Sequence, residues 1–316
     1  MSNTKQFTYN VSDYDQFSYD YSQYWKKRRY EDLAEKTLLD KIFEEKRGDW
    51  FLDVGGSYGR LTNSYYSKYQ HPVILDYSAK TLRNNWEIIK NKYPNTELIA
   101  ANAYKMPFKE NVFDGALMVR VLHHIEHPES YYKELRRILT NDAEYVQEFA
   151  NKVHIKAMVR ALLKGNFKFF STEPYAQPAL TMAEGSDNVE GIFYNFHPKH
   201  VKKLLMEQGF TIKKKRGCSF LRSPFLKKLF NDDTLLFLEK IARSIFSWTN
   251  IPPSVVFDTI LKKEDKRKEK YEKIEDILCC PQCKGNLEIE QDSASCSKKC
   301  NITFEKKDNV WDFRVQ

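Results

Sequence analysis

Apolar and polar positions alternate in blocks through the first half of the chain. Short runs rich in apolar and β-branched residues at 50–54, 72–76, 97–101, 115–121 and 143–149 predict strands buried on both faces. Helical spacing returns between them, at 60–68, 80–92 and 129–139. Such alternation predicts a doubly wound α/β sheet. A helix at 198–208 and two further strands, 210–216 and 254–261, complete the series. Ahead of it, residues 24–45 place Leu33, Leu38, Leu39, Ile42 and Phe43 on one helical face.

Two stretches interrupt this rhythm. Residues 150–197 separate the fifth strand from the helix at 198, and residues 221–250 separate the sixth strand from the seventh. The first carries a basic amphipathic segment, with Ile155, Met158, Val159, Leu162 and Leu163 against Lys156, Arg160 and Lys164. The second is richer in apolar residues, from Phe225 to Trp248. They predict either a helical cap burying its own core or a greasy, cationic-rimmed pocket for a lipid-like molecule, resting at a membrane surface.

The first strand ends in Asp53-Val-Gly-Gly-Ser-Tyr-Gly59. A glycine-rich turn after a buried strand lets the backbone approach a ligand at the switch point of an open α/β sheet. The turn lacks the G-x-G-x-x-G of nicotinamide sites, and no Gly-Lys-Ser/Thr follows, so a P-loop is excluded. An acid inside the strand suits a cationic, amino-acid-like ligand better than a pyrophosphate. Asp76 closes the next strand, 23 residues beyond Asp53, where an acid suits the two hydroxyls of a ribose.

The chain has 316 residues, enough for one α/β domain and a small appendage. No apolar run reaches the length of a membrane span. The N-terminus is polar and tyrosine-rich (Tyr9, Tyr14, Tyr19, Tyr21, Tyr24), unlike a secretory signal, so a cytoplasmic location is expected. The net charge of +8 fits solvated faces, or contact with RNA or an anionic membrane. Five of the six cysteines crowd into residues 279–300, the pattern of a metal site; Cys218 stands alone as a packing residue.

Asp53-x-Gly55-x-x-x-Gly59 resembles the first motif of class I S-adenosylmethionine-dependent methyltransferases, with Ser57 where that family commonly has another glycine. Asn102-Ala103 stands where the family has an adenine-binding acid or amide. Lys105-Met-Pro-Phe108 with Asn111-Val-Phe-Asp114, and then Val121-Leu-His-His124-Ile-Glu-His-Pro128, are similar to the passages around its fourth strand, as found in the type 11 small-molecule enzymes. The matches run in order over residues 51–150. The resemblance implies a Rossmann-like, seven-stranded sheet with helical cap insertions. It also implies S-adenosylmethionine as cofactor, with Asp53, Gly55, Ser57 and Gly59 around the methionine part. Asp76 would hold the ribose, and Asn102 with Ala103 would meet the adenine. Residues 24–31 resemble the family's lid helix, which brings Tyr24 to the cofactor; the alternative is a helix packed on the sheet edge.

His123 and His124, just past strand four, are the candidate general bases; the plainer alternative for His123 is a loop residue packed under the cofactor. Tyr194, Asn195, His197 and Arg222 are candidates for the substrate side.

Near the C-terminus, Cys280-Pro-Gln-Cys283 and Cys296-Ser-Lys-Lys-Cys300 are separated by twelve residues, so four thiolates can surround a structural zinc. Cys279 could replace Cys280 as a ligand. The module has few apolar residues, so the metal is expected to supply much of its stability. Its ends, 277–287 and 304–313, resemble the short zinc-ribbon activator of several tRNA and protein methyltransferases.

The expected domains are an N-terminal arm and lid helix (1–48), the methyltransferase domain (49–262), a charged linker (263–277) and a zinc ribbon (278–316). The expected function is methyl transfer to a small-molecule or lipid-like acceptor. The alternatives are RNA methylation using the ribbon, and a non-catalytic scaffold. The pattern specifies no oligomeric state.

Overall fold

Trp50, Phe51, Leu52 and Val54 have almost no solvent exposure, because their strand lies between two parallel neighbours and is covered on both faces. In a computed structural model of the chain, which describes residues 15, 22–26, 28–178, 192–264, 269–296 and 300–315, the fold builds outward from this strand. Tyr9, Tyr14, Tyr19 and Tyr21 of the tyrosine-rich arm lie outside the described residues.

In chain order, α1 (Ser22–Lys26) and α2 (Arg29–Phe43) lead into β1 (Gly48–Val54). Then come α3 (Thr62–Tyr65), β2 (Tyr69–Asp76), α4 (Ala79–Lys92), β3 (Glu97–Ala100), β4 (Phe113–Met118), α5 (Pro128–Ile138) and β5 (Leu139–Ala150). The first insertion holds α6 (Ile155–Leu163), β6 (Tyr175–Pro178) and β7 (Ile192–Asn195), the last two paired antiparallel. After α7 (Pro198–Glu207) and β8 (Phe210–Cys218), the second insertion holds α8 (Pro224–Leu229) and α9 (Asp232–Phe246). β9 (Ser254–Leu261) closes the α/β unit. α10 (Ile274–Ile277), β10 (Glu288–Glu290), β11 (Ser293–Cys296), β12 (Ile302–Lys307) and β13 (Val310–Asp312) form the C-terminal module.

The α/β strands are ordered β3-β2-β1-β4-β5-β9-β8, with β9 antiparallel to both its neighbours. This is the expected seven-stranded sheet. The helix expected over 24–45 is two helices, meeting at Arg28, within the 24–31 stretch that resembles a lid helix. α2 packs on α9, where the Tyr30 hydroxyl donates to Glu239 at 2.5 Å inside the core.

The C-terminal module adds four more strands to the same sheet. β13 pairs parallel with β3 (Trp311 opposite Ile99), and the Phe313 N–H donates to the Ala100 carbonyl at 2.8 Å. Before that, Leu278 bridges to Phe108, and the Cys279 N–H donates to the Pro107 carbonyl at 2.9 Å. Trp311, Phe313 and Phe304 join the core formed by β1–β4 and α5. The few apolar residues of the module therefore work as part of the larger core, which offsets what the segment lacks by itself.

Among the described residues, no helix is long and apolar enough to cross a membrane.

Candidate functional site

The turn after β1 is folded by its glycines and pinned by β2. Gly55 lies at φ +73°, and its missing Cβ would stand 2.3 Å from Val121 Cγ2, so the turn and the segment after β4 are in contact only because no side chain intervenes. The Gly55 N–H donates to the Leu75 carbonyl at 2.7 Å. Ser57 takes φ +50°, a left-handed conformation that costs a serine more than a glycine. A glycine at this position would relieve that cost.

Asp53 is 2% exposed, with its carboxylate facing the turn. A Cβ on Gly56 would come within 2.9 Å of that carboxyl group, so the approach to it is open only over glycine. The Tyr65 hydroxyl donates to Asp53 Oδ2 at 2.8 Å. Burial nonetheless outweighs this hydrogen bond and pushes the Asp53 pKa up to about 7. Asp76 accepts from the Ser57 N–H and the Ser78 N–H, each at 2.9 Å, and burial raises its pKa to about 6. Asn102 follows β3, and its Oδ1 accepts from the Tyr104 N–H at 2.9 Å. The Ala101 N–H donates to the Asp76 carbonyl at 3.0 Å, which places Asn102 and Ala103 beside the end of β2.

The N-terminal helices close over this edge. Two guanidinium groups lie over the Trp25 ring, Arg60 at 3.7 Å and Arg120 at 4.9 Å from its centre. Both arginines bind the buried Glu35 of α2, Arg60 at 2.8 Å. These two cations hold the Glu35 carboxyl below its ordinary pKa, against the opposing effect of burial. Arg60 follows the glycine turn and Arg120 follows β4, so the cluster ties the lid to the carboxyl ends of both strands. Tyr24 stacks under Arg28 at 4.2 Å and meets Trp25 edge-on. Sequence reasoning missed Arg60, Arg120 and Glu35; the signal present was the position of each arginine directly after a strand-end turn.

His123 and His124 lie in the short turn after β4, their ring centres 4.0 Å apart and both against Phe193 of β7. Burial pushes the His124 pKa down to about 4 and that of His123 well below the ordinary value, so both rings are neutral. Tyr194 and Asn195 lie on β7 next to this pair, and the Tyr194 hydroxyl bonds Glu126. His197 caps α7, its Nδ1 accepting from the Lys199 N–H at 3.0 Å. Arg222 donates to Ser254 Oγ at 3.1 Å. The structure thus groups His123 and His124 with β7, and uses His197 and Arg222 to hold backbone and strand start.

The Sγ atoms of Cys280, Cys283, Cys296 and Cys300 lie within 4.8 Å of one another, with Cys283 to Cys296 at 3.5 Å and Cys280 to Cys300 at 3.9 Å. Thiolates about 2.3 Å from a tetrahedral zinc would stand about 3.8 Å apart, so the set fits that ion. Cys279 is outside the group. Its thiol is buried, which raises its pKa to about 11. Among the alternatives read from the sequence, the geometry favours Cys280. At the far end of the module, Arg314 reaches across to donate to Asp15 at 2.6 Å and to the Tyr77 carbonyl at 3.4 Å, directly after Asp76.

An open seven-stranded sheet with an acid-flanked glycine turn at its switch point defines a nucleotide-cofactor enzyme fold of the methyltransferase type. Residues 52–146 match the family model described as a methyltransferase domain. A protein of Methanocaldococcus jannaschii, itself uncharacterized, is 28% identical over 73% of this chain and 89% of its own length. The fold is similar to an S-adenosylmethionine-dependent methyltransferase from Thermotoga maritima (17% identity, TM-score 0.51, covering 79% of this chain and 98% of that one). It is also similar to a chain in the complex between the Trm112 methyltransferase activator and a methyltransferase from Haloferax volcanii (11% identity, TM-score 0.50, covering 78% and 97%). The chain carries a methyltransferase domain, and its fold is that of the S-adenosylmethionine-dependent methyltransferases.

Proposed function

We propose that the protein transfers a methyl group from S-adenosylmethionine to a small, lipid-like acceptor. The observation that carries the cofactor reading is the buried Asp53 beneath a glycine turn that Asp76 holds from the other side. When bound, the cofactor supplies a methyl already activated by its sulfonium. The protein has then to align a nucleophile and exclude water. Asp53 and the turn would hold the charged methionine end, Asp76 the ribose hydroxyls, and Asn102 with Ala103 the adenine. Asn102 Oδ1 keeps a second lone pair for that contact. Trp25, braced by Arg60 and Arg120, would close the site to water.

Burial lowers the basicity of both His123 and His124, that of His124 to about 4, and a weak base removes protons poorly. The arrangement therefore suits an acceptor that needs little deprotonation. The lipid-like reading is supported by the apolar character of the two insertions that follow β5 and β8 at the carboxyl edge of the sheet. The four-cysteine cluster would bind a structural zinc, since four thiolates leave no position open for catalysis.

Calorimetric titration with S-adenosylmethionine tests the cofactor reading, and the absence of binding would overturn it. Incubation with tritiated donor and either total RNA or a lipid extract tests the acceptor. Label in lipid supports the proposal; label in RNA replaces it with the RNA reading.

A further inference from the structure

The large exposed hydrophobic side chains are not scattered. Among the described residues, all of them except Ile88 and Met206 belong to the two insertions. α6 buries only Ala161 and leaves its aliphatic residues to solvent. Leu163 is 84% exposed and Phe167, just beyond, 73%. α9 packs one stripe on α2 through Leu235 and the Tyr30–Glu239 bond. Its opposite stripe, Phe237, Ile241 and Ile245, continues to Trp248, which is 80% exposed. These positions recur at helical spacing, so α9 has two apolar faces and only one is covered.

The two insertions share a base. The Ile155 N–H donates to the Ile251 carbonyl at 3.2 Å, and Asn151 Nδ2 donates to the carbonyls of Asn250 and Pro252, both at 2.8 Å. The start of α6 is thereby fixed beside the end of the segment that carries Trp248. Interleaved with the apolar residues are exposed Lys156, Arg160, Lys164 and Lys168 on the first insertion, and Lys228 and Lys240 on the second. Residues 152–170 contain no acid, and among the described residues the exposed acids of the two insertions are Glu173 and Asp233, fewer than the exposed cations.

We propose that this face seats the protein on an anionic lipid surface, with α6 and α9 lying in the interface. Charge decides the occupant. A second copy of the chain would set the same cations against each other. RNA would match the cations but would give Leu163, Ile241 and Ile245 no apolar phase. An anionic bilayer satisfies both, because aliphatic side chains enter the acyl boundary while lysine and arginine stay at the headgroups. The proposed contact is peripheral: among the described residues, no helix is long and apolar enough to cross a membrane. It deepens the lipid-like acceptor reading by placing the insertions where such an acceptor resides, and docking is measurable apart from catalysis.

The experiment is vesicle flotation of the full chain with phosphatidylserine-containing and pure phosphatidylcholine vesicles, at low and high salt. The protein is expected to float with the anionic vesicles, and salt is expected to release it. Leu163→Glu with Trp248→Glu should cut the bound fraction about tenfold or more. Lys164→Ser and Lys168→Ser should each lower it about fivefold. All four positions face solvent, so the melting temperature and S-adenosylmethionine binding should not change. Flotation that is absent, or indifferent to lipid charge and to both sets of variants, overturns the proposal. So does a sedimentation profile in which the wild type is a dimer that Leu163→Glu dissociates without any vesicle binding. Flotation with no methyl label in lipid would keep the docking and refute the acceptor reading.

Discussion

The Asp76 carboxylate accepts a hydrogen bond from the Ser57 N–H at 2.9 Å, so the acid that ends β2 holds the middle of the turn that follows β1. Two neighbouring strands thus share one residue at the point where the sheet opens. A group read from sequence as a ribose ligand is also part of the turn's own scaffold.

Replacing it should therefore weaken both the turn and cofactor binding. Asp76→Ala removes a charged acceptor from two of the protein's own backbone N–H groups, which should lower folding stability by about 1.5–3 kcal/mol per bond. The expected result is a rise of about tenfold to hundredfold in the S-adenosylmethionine Kd by calorimetry, with the folded state retained. Asp76→Asn keeps an oxygen for Ser57 and should lose less. Equal affinity in all three proteins would remove Asp76 from the site.

Proton linkage gives an independent reading. Burial lifts Asp53 to about 7 and Asp76 to about 6, against 3.8 for an ordinary aspartate. The native state therefore keeps protons that the unfolded chain has lost. The stability this contributes is fully present below about pH 4 and is lost as pH rises through 6 and 7. A cationic cofactor favours the carboxylates, so its binding should release protons and tighten over the same interval. Calorimetry in buffers of different ionisation heat reads that release directly; a heat independent of buffer near pH 6.5 would contradict it.

Gly55 is constrained twice, by φ +73° and by Val121 at 2.3 Å from the missing Cβ. Gly55→Ala should cost about 1–3 kcal/mol through overpacking alone, with backbone strain in addition. Val121→Ala in the same chain should restore the steric part and leave the strain. Chemical denaturation of the single and double variants separates the two.

The adjacent cysteines give a clean contrast. Cys280→Ser should lose bound zinc and lower the melting temperature by several degrees, while Cys279→Ser should keep the metal. Metal analysis of the two proteins decides it, and loss of zinc in Cys279→Ser alone would reverse the ligand assignment.

Arg314 joins Asp312, Asp15 and the Tyr77 carbonyl. Arg314→Ala should weaken cofactor binding a few-fold while leaving the zinc content unchanged. Such a split would show that the last residues of the module support the loop after Asp76.

The strands were legible because buried parallel strands are nearly continuous apolar runs, and the structure keeps each predicted one to within a few residues. β9, antiparallel but almost wholly buried, also matches its prediction at both ends. The glycine turn was legible because its conformation restricts which residues can stand there. The lid was harder to read. Periodicity joined 24–45 into one helix, whereas the chain breaks at Arg28, and Trp25 on the first helix meets Arg60 and Arg120.

Local pattern was sufficient for the order of elements, the position of the acid-flanked turn and the spacing of the cysteine knuckles, since each depends on residues close together in the chain. Tertiary structure alone decided the rest. It brought Glu35 to Arg120, 85 positions away, and Tyr30 to Glu239, 209 positions away. It took Cys280 rather than Cys279 into the thiol group, and it set β13 on the edge of β3. These are contacts between distant segments, chosen by which buried charge, open strand edge or apolar face found a partner, and no local periodicity encodes that choice.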